Sequence, residues 1–234
     1  MKKRLFSILL TICMVLTMIP MAGGGVFAAT ATSVTIGTVE LNGTNMYYYN
    51  GATEATNTKL EGQEPNATFS NGTLTINGLI VNGKVSAVNG NLIVELTGAD
   101  SHLNAADSNA IYAGGNLTIT GPGTLIAENG SNSQTTVYAG NAMTINGGAK
   151  VTATKAGGDA QAVHAANITI SGTGTEVTAT IKGTTVNSNA VRAYMGEGEI
   201  KVQNGASLTA IQNGTVSTQA VYGTVSISEG STVK

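Results

Sequence analysis

The chain contains very few of the residues that cross-link or fill the cores of small extracellular domains. Its 234 residues include one cysteine, no tryptophan, three phenylalanines and three prolines. With Cys13 as the sole thiol, the chain can form neither an internal disulfide nor a cysteine-based metal site. Charged residues make up only 10 % of the sequence, but the hydrophobic fraction of 41 % is too high for a disordered chain.

The N-terminal segment that ends at Ala28 has the pattern of a secretory signal peptide. Residues 2–4 are basic, residues 5–19 form an apolar run, and small residues around Ala28 predict cleavage after that residue. The apolar run is short for a membrane-spanning helix, which needs about 20 residues. Cys13 lacks the small neighbours of a lipidation site, because Ile12 and Met14 flank it. We therefore expect export, with no membrane contact after cleavage.

The predicted mature chain is acidic. Cleavage after Ala28 leaves 8 basic and 13 acidic residues, a net charge of −5. Because nucleic acids and anionic membranes attract basic surfaces, this balance argues against both as partners. We expect an extracellular or cell-surface location.

What the sequence has in abundance are residues of strands and tight turns. There are 31 glycines and ten Asn-Gly pairs, with many threonines, valines and alanines. Threonine and valine favour strands, whereas glycine and Asn-Gly favour turns. No segment after the signal shows a helical spacing of apolar residues, so we predict an all-β protein.

The clearest feature is an internal repeat. Five segments align at spacings of 26, 26, 28 and 30 residues, namely 110–113, 136–139, 162–165, 190–193 and 220–223. Each is followed by a second short strand, a glycine-containing turn and a third strand. Weaker copies of the second and third strands lie upstream, at 92–103 and 74–80.

Three strands and three turns per repeat describe one coil of a solenoid, in which stacked coils bury a continuous core. We predict a right-handed, single-stranded parallel β-helix of about six to seven coils over residues 71–234, with an N-terminal β cap over residues 29–70. The chain stops inside a third strand at Lys234, which predicts a fragment of a longer protein or an exposed end that seeks a partner. An antiparallel sandwich is the rival fold, since Asn-Gly also marks hairpins, but hairpins do not predict identical columns at a near-constant spacing.

Alternation along each strand assigns the columns. One inward column is aliphatic and comprises Ile111, Val137, Val163, Val191 and Val221. A second admits only small side chains and comprises Ala113, Ala139, Ala165 and Ala193. Between them lies an outward column, preceded by Asn89, that comprises Tyr112, Tyr138, His164, Arg192 and Tyr222.

This outward column is the candidate ligand-binding site. Rings and a guanidinium repeated at about 4.8 Å along the axis match the repeat of a polysaccharide. Sugar C–H faces pack on aromatic rings, and tyrosine hydroxyls form hydrogen bonds. Alternatively, the stacked rings only stabilise the parallel sheet.

Other columns have structural interpretations. Asn109, Thr135, Gln161, Asn189 and Gln219 form a ladder expected to satisfy its amides between coils, and Asp107, Ser133, Asp159, Asn187 and Ser217 suit Asx-type turns. Lys150 and Glu176 fall on adjacent coils and are expected to pair. Acids are scattered, and His102 and His164 have no nucleophile-like neighbours, so we expect no enzyme activity and assign no catalytic residue.

Several segments resemble a known group of proteins. Residues 109–127 (NAIYAGGNLTITGPGTLIA), 67–83 (ATFSNGTLTINGLIVNG) and 89–98 (NGNLIVELTG) are similar to the β-helical, pectate-lyase-like carbohydrate-binding domains of large surface proteins of clostridia-like Gram-positive bacteria. The resemblance covers residues 33–234. It implies binding of plant or host polysaccharide and attachment to the cell surface through further domains of the same protein.

Some members of that group bind calcium through aspartates in the turns. This chain has only Asp100, Asp107 and Asp159, and the last two lie two coils apart, about 10 Å by strand spacing. Calcium ligands lie about 2.4 Å from the ion, so these two cannot share one. We expect no cofactor, and calcium is implied by the resemblance alone.

These observations lead to three functional hypotheses. The first is a non-catalytic, adhesin-like module that binds a polysaccharide or cell-wall glycan. The second is a purely structural surface stalk. The third, a polysaccharide lyase or hydrolase, has the least support because no carboxylates cluster.

Overall fold

The computed structural model describes residues 29–131, 133–183, 188–194, 198–213, 219–228 and 230–234. The predicted signal peptide lies outside these ranges. In the described ranges, no helix is long and apolar enough to cross a bilayer.

Short β-strands make up the regular structure of these ranges. The N-terminal segment contains β1 (Ser33–Ile36), β2 (Val39–Asn42), β3 (Met46–Tyr48) and β4 (Ala67–Ser70). There follow β5 (Thr73–Ile76), β6 (Ile80–Val81), β7 (Val85–Ala87), β8 (Leu92–Leu96), β9 (Ser101–Ala105), β10 (Ile111–Ala113), β11 (Leu117–Thr120), β12 (Thr124–Asn129), β13 (Val137–Ala139) and β14 (Ala142–Ile145). The remainder are β15 (Lys150–Lys155), β16 (Val163–Ala165), β17 (Asn167–Ser171), β18 (Glu176–Ile181), β19 (Val191–Ala193), β20 (Glu199–Gln203), β21 (Ser207–Gln212), β22 (Val221–Tyr222), β23 (Thr224–Ile227) and β24 (Thr232–Val233).

The strands form three sheets, and each turn of the chain contributes one strand to each. Sheet one has the order β2-β1-β7-β10-β13-β16-β19-β22, sheet two β23-β20-β17-β14-β11-β8-β5-β4-β3, and sheet three β24-β21-β18-β15-β12-β9-β6. From β5 onward, neighbouring strands within each sheet are parallel. The predicted parallel β-helix is confirmed, and the antiparallel sandwich is wrong.

The register confirms the repeat. Val137 pairs with Ile111 on one side and with Val163 on the other, and Val163 pairs with Val191. The described ranges contain about five regular turns, slightly fewer than the predicted six to seven. The first copy contains a strand of only two residues, β6, and after β22 the chain adds only β23 and β24. The prediction counted these incomplete copies as full coils.

Burial follows the alternation along the strands. The inward positions Ile111, Val137, Val163 and Val191 are at most 1 % exposed, and the inward alanines from Ala113 to Ala193 at most 2 %. In the last turn, the corresponding Val221 is half-buried and Val225 is 40 % exposed. Inward side chains are shielded from solvent only where a turn packs on both sides of their own, as expected for a solenoid whose core is formed by stacking.

The N-terminal segment pairs with the first turn in the opposite sense. Strand β1 runs antiparallel to both β2 and β7, and β4 runs antiparallel to β3 and β5. Phe69 on β4 is fully buried against this end of the core. The boundaries of the predicted cap at residues 29 and 70 stay predictions.

Asparagine side chains link successive turns at the corner before sheet two. The Oδ1 atom of Asn91 accepts a hydrogen bond from the backbone N–H of Asn116 at 2.9 Å, and Oδ1 of Asn116 accepts one from Ala142 at 3.0 Å. Asn167 repeats this with the N–H of Glu199 at 3.0 Å. Each bond satisfies a backbone donor where the chain turns a corner. The sequence pattern does not predict this ladder.

The predicted ladder beside sheet one is confirmed at one step and differs at two others. Oγ1 of Thr135 donates to Oε1 of Gln161 at 3.5 Å, which joins side chains of neighbouring turns as expected. Nδ2 of Asn109 donates to the backbone oxygen of Thr135 at 2.6 Å, and Nδ2 of Asn189 donates to that of Gln219 at 2.6 Å. At these two steps the asparagine amide therefore satisfies a backbone carbonyl of the next turn rather than the next side chain of the ladder. Of the five residues predicted to form Asx-type turns, two lie outside the described residues, namely Asn187 and Ser217.

Candidate binding surface

The five predicted site residues form one continuous column on the outer face of sheet one. The register pairs Tyr112 with Tyr138, Tyr138 with His164, His164 with Arg192, and Arg192 with Tyr222. Each is the middle or last residue of a short strand whose other residues face the core, which forces these side chains outward. We call Tyr112, Tyr138, His164, Arg192 and Tyr222 the aromatic stripe.

The residue that precedes the stripe is Ser86 rather than Asn89. Tyr112 pairs with Ser86 on β7, and Ser86 is only 4 % exposed. Asn89 lies three residues later, between β7 and β8. The error arises because the strand at Val85–Ala87 lacks the large ring or guanidinium that marks the later copies, although Ser86 lies one regular 26-residue period before Tyr112.

The rings at the N-terminal end of the stripe stack on one another. Tyr112 and Tyr138 have centroids 5.2 Å apart and planes 8° from parallel. Tyr138 meets His164 edge-on, with centroids 5.5 Å apart and planes at 88°. The facing surfaces of Tyr112 and Tyr138 are therefore occupied by each other. A ligand therefore cannot stack on these two facing surfaces.

The C-terminal end of the stripe has a different arrangement, which includes a residue that the repeat does not predict. Tyr194 is 49 % exposed, and its ring lies edge-on to His164 with centroids 5.9 Å apart. The Arg192 guanidinium carbon lies 4.8 Å from the Tyr194 centroid and 5.3 Å from that of Tyr222. Arg192 is thus held between two tyrosines that are each about half exposed.

The only signal for Tyr194 is a departure from the repeat. The residue after the inward alanine is Gly114, Gly140 or Ala166 in the three earlier turns, and it is tyrosine only after Ala193. At Gly140, a Cβ atom would lie 2.2 Å from the backbone oxygen of Gly114, so that turn admits no side chain. The later turns are longer, with spacings of 28 and 30 residues.

A depression borders this end of the stripe. It has a volume of about 310 Å³ and is lined by Tyr194, Tyr222, Gln219, Thr224 and Gly198, among others. Ligand pockets commonly have volumes of about 300–1,000 Å³, so this one is large enough for a single small group or sugar ring.

His164 lies in the middle of the stripe and is half-buried. Burial, and to a smaller extent the positive charge of Arg192, lower its pKa below the ordinary value of 6.5. The imidazole is therefore neutral at pH 7, and Arg192 carries the only positive charge of the stripe.

The stripe contains no carboxylate. In the described part of the chain, no three His, Cys, Asp or Glu side chains come together in a group that could hold a metal ion. Asp107 and Asp159 are exposed. The predicted pairing of Lys150 with Glu176 is confirmed at 3.5 Å, with both side chains more than half exposed. The surface can therefore offer hydroxyls, half-exposed aromatic rings and one guanidinium to a ligand.

Comparison with protein-family models, with curated proteins and with solved structures finds no match to this chain. The fold is thus established by the strand register alone, and the function must be argued from the surface.

Proposed function

We propose that this protein is an exported, non-catalytic binding module that attaches to a polysaccharide along the aromatic stripe. The observation that carries the proposal is the group at the C-terminal end of the stripe. There, two half-exposed tyrosines, Tyr194 and Tyr222, flank Arg192 beside a depression. Half-exposed aromatic rings next to free hydrogen-bond donors are the chemistry by which proteins hold sugars.

The linear form of the stripe supports a linear ligand. Its members follow one another at the strand spacing of about 4.8 Å over five turns. A polymer chain laid parallel to the solenoid axis meets a hydroxyl, an imidazole or a guanidinium at each step. The resemblance of residues 33–234 to carbohydrate-binding β-helices of bacterial surface proteins supports the same function.

A structural stalk is the second candidate, and the Tyr112–Tyr138 stack favours it. Two rings packed face to face at 5.2 Å stabilise neighbouring turns whether or not a ligand binds. In a stalk, the whole stripe acts in this way.

A glycan array probed with the full chain distinguishes the two candidates. We expect binding to a defined subset of glycans, and Tyr222→Ala and Tyr194→Ala each weaken it about tenfold, since aromatic contacts contribute on the order of 1 kcal/mol beyond their buried area. Tyr47→Ala is the matched control, because Tyr47 is half-buried on β3 and away from the stripe.

Circular dichroism should show that all three variants keep the strand content of the parent chain. Absence of glycan binding by the parent chain, or binding that neither stripe variant weakens, would contradict the proposal. The stalk would then remain.

A further inference from the structure

Arg192 has no carboxylate partner among the described residues. Among the described cations, Lys59, Lys150, Lys182 and Lys201 each lie within 4.0 Å of a glutamate oxygen, but no described carboxylate lies that close to Arg192, nor to Lys84, Lys155 or Lys234. Its Nε atom is shielded from solvent and has no hydrogen-bond acceptor in the described structure. The guanidinium is instead positioned by the rings of Tyr194 and Tyr222.

This environment is suited to an anionic group. Guanidinium forms paired hydrogen bonds with planar anions such as carboxylates, and aromatic neighbours hold its plane in place without neutralising its charge. The other members of the stripe carry no negative charge, and His164 is neutral at pH 7. An acidic ligand would therefore meet one fixed positive charge and no opposing charge along the stripe.

The depression supplies room for such a group. Tyr222 and Tyr194 both contact Arg192 and both line the depression, so we expect the substituents of a sugar ring placed there to lie near the guanidinium. Gln219 also lines the depression, and its amide can form hydrogen bonds with sugar hydroxyls.

We infer that the aromatic stripe selects acidic glycans, whose carboxylate or sulfate group binds Arg192 beside the depression lined by Tyr194 and Tyr222. The inference rests on the proposed function and adds the chemical class of the ligand. It assigns Arg192 as the residue that determines specificity, with the tyrosines of the stripe holding the sugar chain.

The test compares polymers that share a backbone and differ in charge. The probes are a polyuronate, the same polyuronate with its carboxyl groups methyl-esterified, and a sulfated polysaccharide. Isothermal titration calorimetry with the full chain at low salt measures each affinity. We expect the polyuronate or the sulfated polymer to bind about tenfold or more tightly than the neutral ester, as one charge-assisted pair provides.

Variants of Arg192 establish the cause of the preference. Arg192→Gln is expected to remove the difference between the acidic polymer and the ester. Arg192→Lys is expected to keep part of the affinity difference, because lysine keeps the charge but lacks the planar pair of donors. Lys201→Gln is the matched control, since it removes an exposed cation from sheet two, away from the stripe.

The outcomes separate this inference from the proposed function. Equal binding of acid and ester that is weakened by Tyr222→Ala overturns the acidic preference and leaves polysaccharide binding intact. A preference for the acid that survives Arg192→Gln also overturns it. No binding to any of the three polymers overturns it too, and the glycan array then decides separately whether the stripe binds neutral sugars. A preference limited to the polyuronate or to the sulfated polymer supports the inference and identifies which anion the guanidinium recognises.

Discussion

Lys155 lies opposite Asn129 in the register of β15 and β12, and both side chains are buried inside the solenoid. The Asn129 amide is satisfied, because its Nδ2 donates to the backbone oxygen of Gln134 at 2.8 Å and its Oδ1 accepts from the N–H of Ser131 at 2.6 Å. The Lys155 Nζ atom has no hydrogen-bond partner in the described structure. The next position in the column is the apolar Ile181.

Replacing Lys155 by methionine should stabilise the protein. A buried, unsatisfied polar group costs about 1–3 kcal/mol, and methionine fills similar space beside Ile181 without an amine. We expect the free energy of unfolding at pH 7, measured by urea denaturation, to rise by that amount. Lys150→Met is the control, because Lys150 is exposed on the same strand and should change stability by less than about 1 kcal/mol. A loss of stability in Lys155→Met would show that the amine makes a favourable contact.

The stability gain of Lys155→Met should depend on pH. Burial lowers the pKa of Lys155 in the folded state below its ordinary value of 10.5. The unfolded chain therefore binds the extra proton between these two pKa values, and folding is opposed as the pH falls. We expect the difference between variant and parent to be smallest above pH 10.5 and to grow as the pH is lowered, until it levels off below the folded-state pKa. A difference that is constant with pH would contradict a buried, titrating amine.

The alanine column should tolerate no larger side chain. Ala139 is 1 % exposed and lies between the turns that carry Ala113 and Ala165. Ala139→Leu should lower the free energy of unfolding by about 1–3 kcal/mol, because added methylenes overpack a filled core. Thr144→Val, at a half-buried outward position of β14, should change it by about 0.5 kcal/mol or less. Chemical denaturation measures both, and equal effects would mean that the column is not close-packed.

The asparagine ladder has a gap that can be filled. Ala142 occupies the ladder position between Asn116 and Asn167 and offers no side-chain acceptor. Ala142→Asn should place an Oδ1 atom near the backbone N–H of Asn167 and raise the free energy of unfolding by about 0.5–1.5 kcal/mol, the contribution of one hydrogen bond. Ala142→Leu, similar in size but without an acceptor, is the control in the same denaturation experiment. If both variants are equally stable, the ladder contributes nothing at this turn.

The charge of Arg192 should be detectable at His164. Burial is the larger cause of the lowered pKa of His164, and Arg192 is the smaller one. Arg192→Gln should therefore raise the pKa of His164 but leave it below 6.5, as followed by NMR titration of the imidazole C–H signals. The other groups that contact His164, Tyr138 and Tyr194, remain in place. Lys201→Gln should leave the His164 titration unchanged. An unchanged His164 pKa in Arg192→Gln would show that the charge of Arg192 does not act on His164.

The same titration has a consequence for acid stability. The folded-state pKa of His164 lies below 6.5, the ordinary value that applies to the unfolded chain. As the pH falls below 6.5, His164 therefore takes up its proton in the unfolded chain before it does so in the folded protein. The contribution of His164 to stability is full above pH 6.5 and declines below it. Arg192→Gln should reduce this acid-induced loss, as measured by denaturation at pH 7 and at pH 5.

The near-constant spacing of the repeat was sufficient to predict the parallel β-helix and most of its inward columns. In-register stacking places Val137 and Val163 on neighbouring strands whenever the spacing is regular, so sequence distance translates directly into spatial adjacency. The same argument placed Tyr112, Tyr138, His164, Arg192 and Tyr222 in one outward column. It failed at Asn89, where an atypical strand hid the regular period, and in the number of turns, where incomplete copies were counted.

The sequence by itself determined which residues share a column, because the period of the chain and the alternation of each strand depend only on residue order. Tertiary structure alone decided how those residues meet: that the Tyr112 and Tyr138 rings occupy each other's faces, that Tyr194 completes the surroundings of Arg192, and that Lys155 has no hydrogen-bond partner among the described residues. Rotamers, corner geometry and turn length control these contacts, and each depends on the turns above and below rather than on the local sequence.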